Sequence, residues 1–172
     1  VSDSPLGPFI DKGCLIDSKV IGVQNSIDQF FYEDNGKKYM FWGSFRGIYA
    51  TELTDNGLEI KKKTDGTPVL KKRICGNRFE GTNIYKRGEY YYLFASIGTC
   101  CNGATSTYQT VVGRSKNVLG PYLDKTGRDM LYDYCEIIMS GNETWAGPGH
   151  NSILIQDDVG TDWIIYLSLI HI

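Results

Sequence analysis

Asp28, Glu80 and His150 form the set of side chains in this sequence best suited to moving protons. Each stands just ahead of a stretch that reads as a β-hairpin, with 52 residues from Asp28 to Glu80 and 70 from Glu80 to His150. If the three hairpins are equivalent units of one fold, their leading residues meet at one end of it. Two carboxylates meeting in that way suit the cleavage of a glycosidic bond. An inverting pair sets a general acid and a general base on opposite faces of a sugar, roughly 6.5–9.5 Å apart, so that a water fits between. The acid must keep its proton near neutral pH, which apolar surroundings or a neighbouring carboxylate favour. Phe79 and Gly81 give Glu80 one aromatic and one small neighbour. Trp42, Ser44, Phe45 and Arg46 bring an aromatic face, a hydroxyl and a guanidinium together, types that stack on and hydrogen-bond a furanose ring.

The elements that must position these groups read as strands. No long segment keeps an i, i+3, i+4, i+7 apolar pattern. Phe30-Phe31-Tyr32, a turn over 33–36 containing Asn35-Gly36, and Lys37 to Trp42 predict a hairpin. Gly47 to Leu53 predicts a third strand and Leu58 to Lys62 a fourth. The pattern returns with Thr82 to Tyr85, a turn over 86–89, Tyr90 to Ser96, and Tyr108 to Ser115. It begins again with Ser152 to Gln156, a turn over 157–162, and Trp163 to Leu169. A second repeat interleaves: residues 4–13 (SPLGPFIDKG) are similar to 117–127 (NVLGPYLDKTG). Antiparallel units at such periods mark a β-propeller, in which each unit is a four-stranded blade and the innermost strands line a channel. The units fall at 27–63, 79–127 and 149–172, and residues 1–13 read as the last strand of an earlier blade.

Composition agrees with this class and excludes others. The 172 residues include 20 Gly and 12 Tyr, which favour strands and tight turns. Lys+Arg 18 against Asp+Glu 20 leaves a net charge of −2, which argues against a polybasic nucleic-acid or membrane-surface binder. The apolar run from Trp163 to Ile172 is too short for a membrane span. Five cysteines, at 14, 75, 100, 101 and 135, make a poor disulfide framework and show no zinc spacing. The expectation is mostly free thiols with at most one or two bridges. Adjacent Cys100 and Cys101 are expected not to bridge each other and to sit as small buried apolar groups, with a loop over the cleft as second choice.

Several stretches carry a more specific likeness. They are Asn25-Ser26-Ile27-Asp28, Phe41-Trp42-Gly43-Ser44-Phe45, Gly47-Ile48-Tyr49, Phe79-Glu80-Gly81, Tyr90 to Ser96, Cys100-Cys101, Ser106-Thr107-Tyr108, Val112 to Ser115, Gly120-Pro121-Tyr122 and Gly147 to Ser152. In order and spacing the sequence resembles glycoside hydrolase family 43, in its endo-1,5-α-L-arabinanase branch. The resemblance implies an all-β, five-bladed β-propeller that cleaves α-1,5-linked L-arabinan with inversion. On that likeness residues 1–172 are part of one propeller domain, with the end of blade 1, blades 2 and 3, and the start of blade 4. It implies Glu80 as general acid and Asp28 as the residue that tunes and orients it. Asn25, Ser26, Ile27, Trp42, Ser44, Phe45 and Arg46 match substrate-binding positions. His150 matches a position near the propeller axis where a calcium ion is held mostly through water, although calcium prefers oxygen ligands. The family's first-blade Asp, the general base, has no counterpart here, so the isolated chain is expected to be inactive. Residues 167–172 depart from the family pattern. The likeness further implies arabinan or arabino-oligosaccharide as partner, no nucleic acid and no membrane span, and an exported protein at the cell surface, in the periplasm or secreted. The alternatives are a non-catalytic carbohydrate-binding propeller module, or an exo-acting β-xylosidase or α-L-arabinofuranosidase of the same family.

Overall fold

The computed structural model describes residues 1–170. Two four-stranded antiparallel sheets dominate it, each with its strands in sequence order. The first holds β1 (Phe30–Asp34), β2 (Lys37–Trp42), β3 (Ile48–Glu52) and β4 (Lys71–Cys75). The second holds β5 (Glu80–Arg87), β6 (Tyr90–Ile97), β7 (Gln109–Ser115) and β8 (Glu136–Met139). This up-and-down order is that of propeller blades. Beyond them β9 (Trp145–Gly149) pairs with β12 (Leu167–Ile170), and β10 (Ile155–Gln156) with β11 (Asp162–Trp163). A short helix, α1 (Ser18–Ile21), precedes the first sheet, capped by the Asp17 carboxylate at one end and by left-handed Gly22 at the other. Among the described residues no helix is long and apolar enough to cross a membrane.

The first hairpin forms as read. Asn35 and Gly36 take φ of 50° and 75°, the two positive values that a two-residue turn needs to match strand twist. Other expectations need correction. The fourth strand of the first sheet is Lys71–Cys75, not Leu58–Lys62, which makes only isolated bridges from Ile60 to Leu53 and from Lys62 to Pro68. The physical reason is burial: β4 delivers Ile74 and Cys75 to the core, whereas Leu58 stays exposed. The second sheet likewise closes with β8, past the expected end at 127. Residues 1–13 form no strand. They repeat 117–127 as a loop: Gly7 N–H bonds the Ser4 carbonyl as Gly120 N–H bonds that of Asn117, at 3.0 and 2.9 Å. Both glycines are left-handed, with φ of 83° and 77°. The third unit departs furthest, since its principal pair uses Trp145–Gly149, a segment rich in Gly and Pro that does not read as a strand. Of the stretch 167–172, His171 and Ile172 lie outside the described residues.

The core lies between the two large sheets. Phe41, Ile48 and Ala50 of the first meet Ile84, Leu93 and Val111 of the second, with Phe79 on the connection between them. A polar clasp joins the sheets at their hairpin ends. Tyr91 donates its hydroxyl to Asp34 Oδ1 at 2.6 Å, and Lys86 Nζ lies 3.5 Å from the same oxygen. Asp162 holds the third unit to the second, accepting from Tyr85 at 2.8 Å and from Arg87 at 2.6 Å. These contacts set the sheets side by side, so the opposite ends of β5 and β9 converge.

Candidate active site

Asp28 and Glu80 converge as the repeat requires. Asp28 lies two residues before β1, and its Oδ2 accepts the Gly81 N–H at 3.2 Å. Glu80 is the first residue of β5 and is buried. His150 also joins them: its imidazole lies against Gly81, where an added Cβ would sit 3.1 Å from the ring. It follows β9, however, rather than leading a strand as expected.

The backbone around this point is under local strain. Asn25, Asp28, Phe45 and His150 all have positive φ, at 56°, 56°, 49° and 47°. For Asn and Asp that costs little, but for Phe and His it needs support from the surroundings, and such clusters accompany function. Here the support is visible. Asn25 Nδ2 bonds the Ser44 carbonyl at 2.8 Å, Gly43 N–H the Ile27 carbonyl at 2.8 Å, and Phe45 N–H the Phe79 carbonyl at 2.9 Å. Three chain segments are thus stitched together beneath the two carboxylates.

Each Glu80 oxygen meets a hydroxyl. Ser44 Oγ lies 2.7 Å from Oε2, and the Tyr108 phenol donates to Oε1. Beside Tyr108, next to Gly149, Ser96 Oγ accepts the His150 backbone N–H at 2.7 Å. Burial, followed by the bond to Glu80, pushes the Tyr108 phenol well above its usual range. Gly149 makes room for this arrangement, because a Cβ there would overlap the Tyr108 ring and come within 3.1 Å of Ser96 Oγ. Tyr108 and Ser96 lie in matched stretches of the sequence, yet nothing in a strand pattern gives their hydroxyls a role.

The other sequence-named residues divide. Trp42 is corrected: it is 1% exposed, packed with Ile21 and Val23, and its indole N–H bonds Ser26 Oγ at 3.0 Å. It offers no ring face to a sugar, because its indole completes the small core under α1. Ser26 is occupied with that indole, and buried Ser44 with Glu80. Ile27, Phe45 and Arg46 retain accessible surface.

Cys100 and Cys101 are also corrected, for they are joined to each other by a disulfide and both are exposed. They ride on the loop from Gly98 to Thr107, closed by Ser106 Oγ donating to the Cys100 carbonyl at 3.1 Å. A pocket beside the loop is lined by Glu80, Cys100, Tyr108, Gly147, His150 and Leu167. The second-choice reading of a loop over the cleft therefore describes the pair better. Cys14, Cys75 and Cys135 are free thiols.

Burial raises the Asp28 carboxyl above its ordinary range; the His150 charge opposes this, the Glu80 charge adds to it and the Gly81 N–H opposes it. A carboxyl raised by folding binds its proton more tightly than in the unfolded chain. Stability therefore falls as pH rises from the unfolded value of 3.8 through the folded one, and stays lower above it. Asp28→Asn removes the charge, keeps an oxygen for Gly81 and suits the positive φ. Calorimetry of the variant at pH 7 is expected to show a midpoint higher by up to about 2–4 °C. That corresponds to on the order of 1 kcal/mol at most once solvent screening of this half-buried group is counted. The gain disappears at a pH below 3.8, and a midpoint unchanged at pH 7 would contradict the assignment.

With this geometry in place, the profile of Glycosyl hydrolases family 43 matches residues 1–171. The chain belongs to that family. This member of family 43 is 38% identical over 174 residues to an extracellular exo-α-(1→5)-L-arabinofuranosidase of Cellvibrio japonicus, covering 94% of this chain and 50% of that protein. It is 35% identical over 150 residues to extracellular endo-α-(1→5)-L-arabinanase 1 of Bacillus subtilis, covering 86% and 46% respectively. The α-L-arabinanase of Cellvibrio cellulosa in complex with arabinohexaose superposes with a TM-score of 0.81 at 35% identity, over 96% of this chain and 56% of that one. The chain therefore spans about half the length of the curated relatives it matches, and its two large sheets form part of a propeller.

Proposed function

We propose that the protein carrying this chain is an inverting glycosidase that cleaves α-1,5-linked L-arabinan, with Glu80 as general acid. The observation that carries the reading is the convergence of two carboxyls, one just ahead of β1 and one opening β5, linked through the Gly81 amide, inside a family 43 fold. Glu80 delivers a proton to the departing glycosidic oxygen. Asp28 aligns the Glu80–Gly81 segment through its bond to the amide, and its nearby charge tunes the acid. Ser44 and Tyr108 hold the two Glu80 oxygens, so the carboxyl plane does not turn away between cycles. The sugar is met by Ile27, ahead of β1, and by Phe45 and Arg46 in the loop between β2 and β3, with Asn25 and Ser26 fixing the segment beneath it. We place the general base outside these 172 residues, so the isolated chain is inactive in this reading.

Among the described residues no group of three or more His, Cys, Asp or Glu side chains could hold a metal ion. His150 supplies one nitrogen, whereas calcium takes six to eight oxygens. These residues do not form a calcium cage by themselves. Export fits the relatives named extracellular. The test is reducing-sugar release from linear 1,5-arabinan by the full-length protein. Release is the expected result. Binding of arabinan without release would instead identify a carbohydrate-binding module.

A further inference from the structure

We propose that the Cys100–Cys101 disulfide is a sugar-contact surface, an apolar plate that takes the C–H side of an arabinofuranose unit beside Glu80. The inference rests on the reading of arabinan as the substrate, and it adds which residues supply the apolar contact.

The site needs such a surface. A furanose turns its hydroxyls to polar groups and leaves a side of C–H bonds that only an apolar partner suits. A 1,5-linked unit adds its C5 methylene to that side. Trp42 has the right face but is buried under α1. Tyr108 lines the pocket that holds Glu80, yet it is buried there with its hydroxyl committed to the acid. Cys100 lines the same pocket of about 400 Å³, beside His150 and Leu169, and is exposed along with Cys101.

The disulfide has the chemistry for the task. Bonded sulfurs have no proton to donate, and sulfur is soft and polarizable, so the pair attracts C–H groups without demanding a hydrogen bond. A bond between sequence neighbours closes a small ring through their shared peptide unit, and neither sulfur can rotate away. The loop beneath is fastened as well. Thr107 N–H bonds the Thr99 carbonyl at 3.1 Å, and Ser106 Oγ accepts the Asn102 N–H at 3.1 Å while donating to the Cys100 carbonyl. β9 lies against the end of the loop at Gly147, where an added Cβ would sit 2.8 Å from Ser106 Cβ. A plate held in place before the sugar arrives costs little ordering on binding.

The test is NMR of the full-length protein as Glu80→Gln, with isotope-labelled cysteine, titrated with arabinotriose. The Cys100 and Cys101 signals are assigned through their shared peptide bond, and their Cβ shifts report whether they are bridged. The expected result is a bridged pair with nuclear Overhauser contacts from sugar C–H protons to the Cβ protons of Cys100 or Cys101. This arm needs no cysteine variant to fold. In the active protein, Cys100→Ala combined with Cys101→Ala is expected to raise KM on linear 1,5-arabinan roughly tenfold, the weight of two methylene-sized contacts, with kcat changed less than about twofold. Thiol shifts at the two positions, no contacts to them in the saturated protein, no binding of arabinotriose, or an unchanged KM in the folded double variant each overturn the plate. A wild type that binds arabinotriose with these contacts but releases no sugar removes the glycosidase reading and keeps the plate. A wild type that cleaves arabinan without them does the reverse.

Discussion

Glu80→Gln in the full-length protein lowers kcat/KM on linear 1,5-arabinan by about 10²–10⁴-fold, the usual contribution of a positioned general acid. The fold is expected to stay intact, for a reason visible at the site. Gln keeps an oxygen for the Tyr108 phenol and turns its amide nitrogen toward Ser44 Oγ, which accepts in place of donating. The variant therefore reproduces the shape and bonds of the protonated acid without a proton to give. KM should hold, because no sugar contact is removed, and the loss should fall in kcat. The pair of measurements is a progress curve and a thermal melt. A Gln variant that keeps the wild-type rate with an unchanged melt would show that another group protonates the leaving oxygen.

Gly43→Ala is expected to lower stability by at least about 3 kcal/mol and the thermal midpoint by roughly 6–12 °C. Two costs coincide there. Gly43 has φ of 124°, a region that residues with a Cβ scarcely enter. The added Cβ would also overlap the Gly47 carbonyl oxygen and lie 3.2 Å from its carbon, and backbone does not yield as a long side chain does. Gly47 is no reserve of space, since its own added Cβ would meet Arg73 Nε at 2.7 Å. Opening the 43–47 loop would carry Ser44 from Glu80, so activity falls with stability. Gly66→Ala is the control: it too has positive φ, at 81°, but nothing lies within 4 Å of its added Cβ. Its expected cost is about 1 kcal/mol, the backbone part alone. Equal losses in the two variants would show that the Gly43–Gly47 approach contributes nothing.

Much of the site was legible because its markers are local. Asn35-Gly36 announces its turn through backbone preference alone, and the spacing of Asp28 and Glu80 follows from one blade repeating another. What stayed hidden depends on partners distant in sequence. Lys71–Cys75 alternates no better than Leu58–Lys62, and only the core decides which of them completes the sheet. Trp42 reads as a sugar platform because an indole looks the same buried or exposed; its partner Ser26 and the cover of Ile21 and Val23 make the difference. Tyr108 and Ser96 read as ordinary strand hydroxyls, and only the fold sets Tyr108 on Glu80 and brings the amide of His150, 54 positions beyond, to Ser96.

Glu80 opens β5, yet one of the two hydroxyls on its carboxylate, that of Ser44, comes from the loop between β2 and β3 of the other large sheet. Glu80 is thus not set by the blade that carries it alone. A chain in which the second sheet has formed but has not docked on the first already has Glu80, but with Oε2 lacking its Ser44 partner. Its setting is completed only by the seating of one blade on the next.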